Sequence, residues 1–358
     1  MGRPMDRPQR AIVRDLTRGG ASYRIDWDVR PAYDFIFSLS GDAGSTDDLP
    51  AADRAWLLDS RKALPAGAQA AIASLFESEL AIHAGVLLVD QPDARTSADV
   101  VALVESTAPR DLVGALFAED GHDAELAGLI HRAIDGDATV LDSLAEKLPD
   151  WNRQGRIELL RDPQAAKDRI LEVLRAWQAP FATIEARVAA ILERDYEERA
   201  ADRERLAPAE LIETTTGGVR YLPEPGIARV ILGPSYFSRP YNFLMSARDW
   251  RFFGYPVADS ALGPSDALTP PLALVRLHRA LGDETRLRIL KLLASRDLYL
   301  TEIAQALDLS KPTIKHHMIQ LRSAGLVTIT DAGTVMYYSL RRNRLDDASA
   351  EIKRFLVD

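Results

Sequence analysis

Residues 272–340 constrain the fold more than any other part of this 358-residue chain. Leu274, Leu277 and Leu281 recur at helical spacing and stop at Gly282, and Asp283 can cap a second helix bearing Leu287, Leu290 and Leu293. Thr301 is placed to cap a third helical element over 302–307. The turn Asp308-Leu309-Ser310 then leads into a fourth helix, with Ser310 as its cap and Pro312 in its first turn. That helix carries Ile314, His317, Met318 and Leu321 on one face and ends at Gly325. Two helices joined by so short a turn form a helix-turn-helix. LVTIT, the turn Asp331-Ala332-Gly333 and TVMYYSL follow as two strands, a wing. Leu345, Ala348, Ile352 and Phe355 then recur every three or four residues, an apolar stripe of the kind that seals a dimer or a core.

LGDETRLRILKLL (281–293), LTEIAQALDLSKPTIKHHMIQLRSAGLV (300–327) and the wing ending in MYYSL resemble the ArsR family of winged-helix transcriptional regulators. Together these stretches span about a quarter of the chain. The resemblance implies a winged-helix fold, a homodimer and binding to an operator in double-stranded DNA, an inverted repeat. The function expected is that of a repressor. Many members of that family sense metals through Cys pairs in the supporting helix or Asp/His sets in the terminal helix. This chain has no Cys and no His between 344 and 356. No metal site and no cofactor are therefore expected, and the inducing signal is sought in the N-terminal part.

A recognition helix in the major groove presents its exposed, N-terminal side chains to base edges. Those positions are Lys311, Thr313, Lys315 and His316. Lys donates to guanine, Thr offers a hydroxyl and a methyl, and His donates or accepts. Thr301 and Ser310, at helix starts, present backbone N–H groups to phosphates. Arg322 at the helix end and Arg341 and Arg342 at the base of the wing are expected to contact the phosphate backbone. His316 and His317 are not a metal pair, because neighbours on a helix diverge by about 100°. His317 is assigned to the core.

Charge is divided along the chain. Residues 266–358 hold 14 Lys and Arg against 11 Asp and Glu, residues 1–20 hold 5 against 2, and residues 21–265 hold 25 against 40. The net charge of −9 thus hides two mildly basic ends and an acidic body, which a phosphate backbone repels. The fold class expected is mainly α (α+β). A flexible basic arm (1–20) precedes an acidic α+β domain (21–258) for effector binding or protein interaction. A linker (259–271) leads to the winged helix-turn-helix with its dimerisation helix (272–358).

Within the acidic domain, residues 22–29 alternate as a strand and a helix follows Pro31. About nine helices run from 51 to 206, the longest from about Phe181. After Leu211, VRYL, IARVIL and RFFGYPV read as three short strands that pair with 22–29. Trp27, Trp56, Trp151, Trp177 and Trp250, with the PSYFSRPYNF run, either line an apolar pocket or pack the core. No G-x-G-x-x-G, P-loop, H-E-x-x-H or G-x-S-x-G occurs, so no enzyme activity is expected. No apolar run is long enough to span a membrane, and a cytoplasmic protein is expected. The expectation is a DNA-binding regulator whose N-terminal domain senses a small, non-metal effector. The alternative is an N-terminal module for oligomerisation or protein interaction without a ligand.

Overall fold

One helix, Pro163–Glu198, organises the larger part of the molecule. Asp162 caps it by accepting from the Ala165 amide, with Pro163 in the first turn, where a missing N–H costs nothing. The computed structural model describes residues 23–45, 48–148, 152–263, 268–331 and 336–357; the basic arm lies outside them. The longest helix was expected to start near Phe181, but it runs on from Pro163 through Pro180. An interior proline costs roughly 3 kcal/mol. The apolar stripe nevertheless continues on both sides of it, and Ile170, Leu174, Trp177, Phe181, Val188 and Leu192 are all buried. Burying such side chains contributes about 1.5–3 kcal/mol each, enough to hold the two halves as one rod.

Trp177 donates its indole N–H to Ser38 Oγ at 2.8 Å, tying the rod to the wholly buried helix Pro31–Phe37. Trp250 is buried as well, and Trp27 and Trp56 are half-buried against other rings. These four tryptophans pack the core; Trp151 lies outside the described residues. Among the described residues ten α-helices lie between 51 and 205, close to the number that the breaks in the pattern imply.

Strands β1 (Arg24–Trp27), β2 (Val219–Arg220), β3 (Arg229–Ser235), β4 (Phe243–Ser246) and β5 (Trp250–Pro256) follow in chain order. β1, β3 and β5 form a parallel sheet edged by antiparallel β4. β3 is central and buried from Val230 onward, which is why it reads as an unbroken apolar run rather than an alternation. The buried Asp34 carboxylate pins the turn after β3, accepting from Ser235 Oγ and the Tyr236 and Phe237 amides at 2.6–3.0 Å. Burial pushes its pKa up to about 6 against the pull of those bonds.

β2 departs from expectation, because VRYL does not join this sheet. Val219 and Arg220 pair instead with Ile329 and Thr330 of the C-terminal unit. Gly218, at φ +125, lets the chain turn there, and its carbonyl accepts from the Ile329 amide at 2.8 Å. A Cβ at 218 would sit 3.1 Å from the Val327 carbonyl oxygen, so this close approach requires glycine.

The C-terminal unit has its own core, built on Leu277, Ile289, Leu293, Ile303, Ile314, Met318, Leu321 and Leu326. Helices Leu272–Leu281, Glu284–Leu293, Leu300–Leu307 and Lys311–Ser323 surround it. With them come strands β6 (Leu298–Tyr299), β7 (Val327–Asp331) and β8 (Met336–Leu340) and the terminal helix Arg342–Val357. The sheet order is β2-β7-β8-β6. The expected wing turn at Ala332-Gly333 lies outside the described residues.

The start of the expected linker is built into the fold. Asp259 opens a short 3₁₀ turn, pairs with Arg239 and accepts from the Ala273 amide at 2.5 Å. Arg239 and Arg276 outweigh burial and hold the Asp259 pKa below the usual carboxylate value. The fold is mainly α with two small sheets and a C-terminal helix-turn-helix. Among the described residues no helix is long and apolar enough to cross a membrane.

Candidate nucleic-acid interface

The helix-turn-helix is built by local rules. Asp283 Oδ1 accepts from the Arg286 amide at 2.9 Å and caps helix Glu284–Leu293. The next helix begins earlier than its sequence suggests. β6 pairs with β8 as far as Tyr299↔Tyr337, so Tyr299 becomes the cap and its N–H donates to the Glu302 carboxylate at 3.1 Å. Thr301 is therefore not a cap; it is the second residue of Leu300–Leu307 and half-buried. Asp308 closes that helix in the left-handed conformation, φ 54, which a short polar side chain tolerates.

Ser310 caps the recognition helix Lys311–Ser323, accepting from the Thr313 amide at 3.3 Å and lying 2.7 Å from the Thr313 hydroxyl. Ile314, Met318 and Leu321 are fully buried, and the 3.6-residue period therefore puts Lys311, Thr313, Lys315 and His316 on the exposed face. His317 is half-buried. Its Nδ1 makes no hydrogen bond and lies 3.7 Å from Asp283 Oδ1. Burial holds its pKa below the ordinary value while Asp283 pushes it back. The two imidazole centroids stand 6.0 Å apart at 67°. Along the terminal helix Leu345, Leu356 and Val357 are exposed, and Ile352 and Phe355 are half-buried; the Ala348 side chain is not among those described.

A family described as "Bacterial regulatory protein, arsR family" matches residues 283–328. The transcriptional repressor SdpR of Bacillus subtilis is 37% identical over 72 residues, 20% of this chain and 80% of SdpR. The HTH-type transcriptional regulator CmtR of Mycobacterium tuberculosis is 39% identical over 85 residues, 24% of this chain and 72% of CmtR. A transcriptional repressor SmtB homolog of Synechocystis is 34% identical over 85 residues, 24% of this chain and 64% of that protein. The chain belongs to the ArsR family.

What this ArsR-family chain adds is a large N-terminal domain fastened to the far end of the recognition helix. Two of the arginines expected on phosphates are used there instead. Arg341 donates to the Gly217 carbonyl at 2.9 Å and, more weakly, to Gly325 at 3.4 Å. Arg322 turns into the cleft between the two units, near Tyr338, Tyr241 and Asp42, and burial holds its pKa below the ordinary arginine value. Only Arg342 of the three is exposed, donating one N–H to Ala294 O at 2.5 Å.

The N-terminal domain also sets acid near Lys315 on the exposed face of this helix. Burial raises the pKa of Asp42 and of Glu79, and Lys315 lies near enough to pull both back down. Sequence reasoning missed Asp42 and Glu79, since nothing local distinguishes them from other surface acids.

Proposed function

We propose that this protein is a sequence-specific DNA-binding regulator of ArsR type, a homodimeric repressor in the cytoplasm, with no catalytic activity. One observation carries the reading. Lys311, Thr313, Lys315 and His316 form an exposed polar face on a Ser310-capped helix whose opposite face is wholly buried. Such a helix can enter a major groove without disturbing the core behind it. Ser310, at the helix start, offers backbone N–H groups to a phosphate, and Arg342 supplies a cation. The half-exposed stripe on the terminal helix supports pairing of two copies. The N-terminal domain is read as the sensor of a small effector.

The test is fluorescence anisotropy of the full chain on labelled DNA from upstream of its own gene, with unlabelled unrelated DNA as competitor at two salt concentrations. Saturable binding that survives excess competitor is expected. Binding abolished by competitor, or no binding by folded protein at low salt, would overturn the reading.

A further inference from the structure

A cavity of about 250 Å³ lies between the two units, walled by Thr215, Thr216 and Asn242 from one side and Arg276, Arg322 and Ser323 from the other. It lies below the roughly 300–1,000 Å³ of sites for drug-sized ligands, so its occupant is smaller. Three residues in its wall carry a buried polar atom without a hydrogen-bond partner: Thr215 Oγ1, Asn242 Oδ1 and Arg276 Nε. Thr215 itself is only 3% exposed. Leaving such atoms unmade costs about 1–3 kcal/mol each, and nothing in the fold requires them to converge on one place.

The charges around the cavity define what it takes. Arg199 is matched by Asp195 at 2.8 Å, Arg239 by Asp259, and Arg276 by Asp48 at 2.5 Å. Arg322 makes no side-chain hydrogen bond or ion pair among the described residues; Asp42 and two tyrosines only reach it through space. One guanidinium is thus left over, which calls for a single negative charge, and its planar fork fits a carboxylate. Asn242 spends its Nδ2–H on the Thr216 carbonyl at 3.0 Å. Its Oδ1 is therefore an acceptor that needs a donor from the ligand, while Arg276 Nε–H needs an acceptor.

We infer that this cavity is an effector site for a small hydroxylated monocarboxylate, its carboxylate on Arg322 and its hydroxyl on Asn242. The ligand bridges both units and so holds them in the arrangement in which Asp42 and Glu79 stand beside Lys315. Acid at that position repels phosphate, so ligand and DNA oppose each other by an equal factor. This last step rests on the reading of the recognition helix as a DNA contact.

The test is thermal unfolding of the full chain with lactate, glycerate and 3-hydroxybutyrate, each titrated at constant ionic strength against chloride and inorganic phosphate. A saturable rise in Tm with at least one hydroxy acid is expected for the wild type, lost in Arg322→Gln and weakened in Thr215→Val. Thr215→Val removes only an unpartnered hydroxyl and should fold at least as well as the wild type. No saturable rise with any of the three acids, or the same rise in both variants, would overturn the site. A rise with phosphate alone that needs Arg322 would overturn the carboxylate assignment. DNA anisotropy with and without the active acid is read separately. If the protein binds no DNA, the Tm result still decides the cavity; if DNA binds and Tm does not move, the cavity proposal fails alone.

Discussion

The two ends of the recognition helix are treated in opposite ways. At its start Lys311, Thr313, Lys315 and His316 stand in solvent, with Ser310 holding the first turn. At its end Arg322 is drawn into the cleft beneath the N-terminal domain, and Gly325, at φ +69, turns the chain into β7 beside β2. The first end is made by a cap, a proline and an apolar period. The second is made by contacts between distant residues, such as Arg341 with Gly217, 124 positions apart. On the proposed reading, a DNA-contacting end and an effector-bound end share one helix, so that movement of the second would re-aim the first.

Breaking the fastened end should have the largest effect. Arg239 is 2% exposed, donates to the Asp48 and Val257 carbonyls at 2.9 and 2.5 Å and neutralises Asp259. Removing one member of a buried pair costs about 3–5 kcal/mol, and Arg239→Ala should lower the urea unfolding free energy by that amount. A loss below about 1 kcal/mol would make this clamp no better than a surface pair.

The reading end is broken by Lys315→Ala, which should reduce discrimination between operator and unrelated DNA by about 1–3 kcal/mol. An unchanged ratio of the two affinities would remove Lys315 from base readout. Gly218→Ala attacks the join between β2 and β7. A side chain in the left-handed region costs about 1–2 kcal/mol, and the added Cβ meets the Val327 carbonyl. Exchange of the Ile329 amide, which bonds to Gly218, should then speed up relative to amides of Ile314 and Met318. Equal acceleration at all three would mean that the whole unit opens together. Arg342→Ala, by contrast, should weaken binding to every sequence alike and reduce the salt slope by about 1; loss confined to one sequence would contradict a phosphate contact.

The same contrast explains what was legible in the sequence. Asp283, Ser310, Pro312 and Gly325 act on residues within a turn of themselves, so the helix-turn-helix and its exposed face were readable. Thr301 misled because β6 carries strand pairing to Tyr299 and starts the helix earlier. The pattern starts the longest helix only at about Phe181, because the burial of Trp177 and Phe181 on either side of Pro180, which holds the helix together, is a tertiary effect. VRYL pairs with β7 and not with the N-terminal sheet, and a two-residue strand has no pattern by which its partner can be read. Arg322 and Arg341 have the composition of phosphate contacts; only the turn at Gly217-Gly218 and the position of Tyr241 give them other work.

Acid should sharpen the comparison by the smallest effect. His317, beside Asp283, Arg286 and His316, and the half-buried His83, beside Glu79, Asp120 and Arg156, both have pKa values held below the ordinary 6.5 by burial. A base with a depressed folded pKa favours folding while neutral, so this stability is present above about pH 6.5 and is lost as the pH falls. Asp34 works the other way: its folded pKa of about 6 lies above the ordinary 3.8. The folded state therefore binds more protons at Asp34 than the unfolded chain between those values, and that contribution grows as the pH falls. The wild-type Tm should accordingly decline only gently from pH 7 to 5. Asp34→Asn should make the decline steeper, and His317→Gln shallower. Because His317 packs in the C-terminal unit and His83 in the other, only His317→Gln should slow the acid-dependent exchange of the Met318 amide. If that exchange is unchanged, His317 does not carry an acid response of the recognition helix.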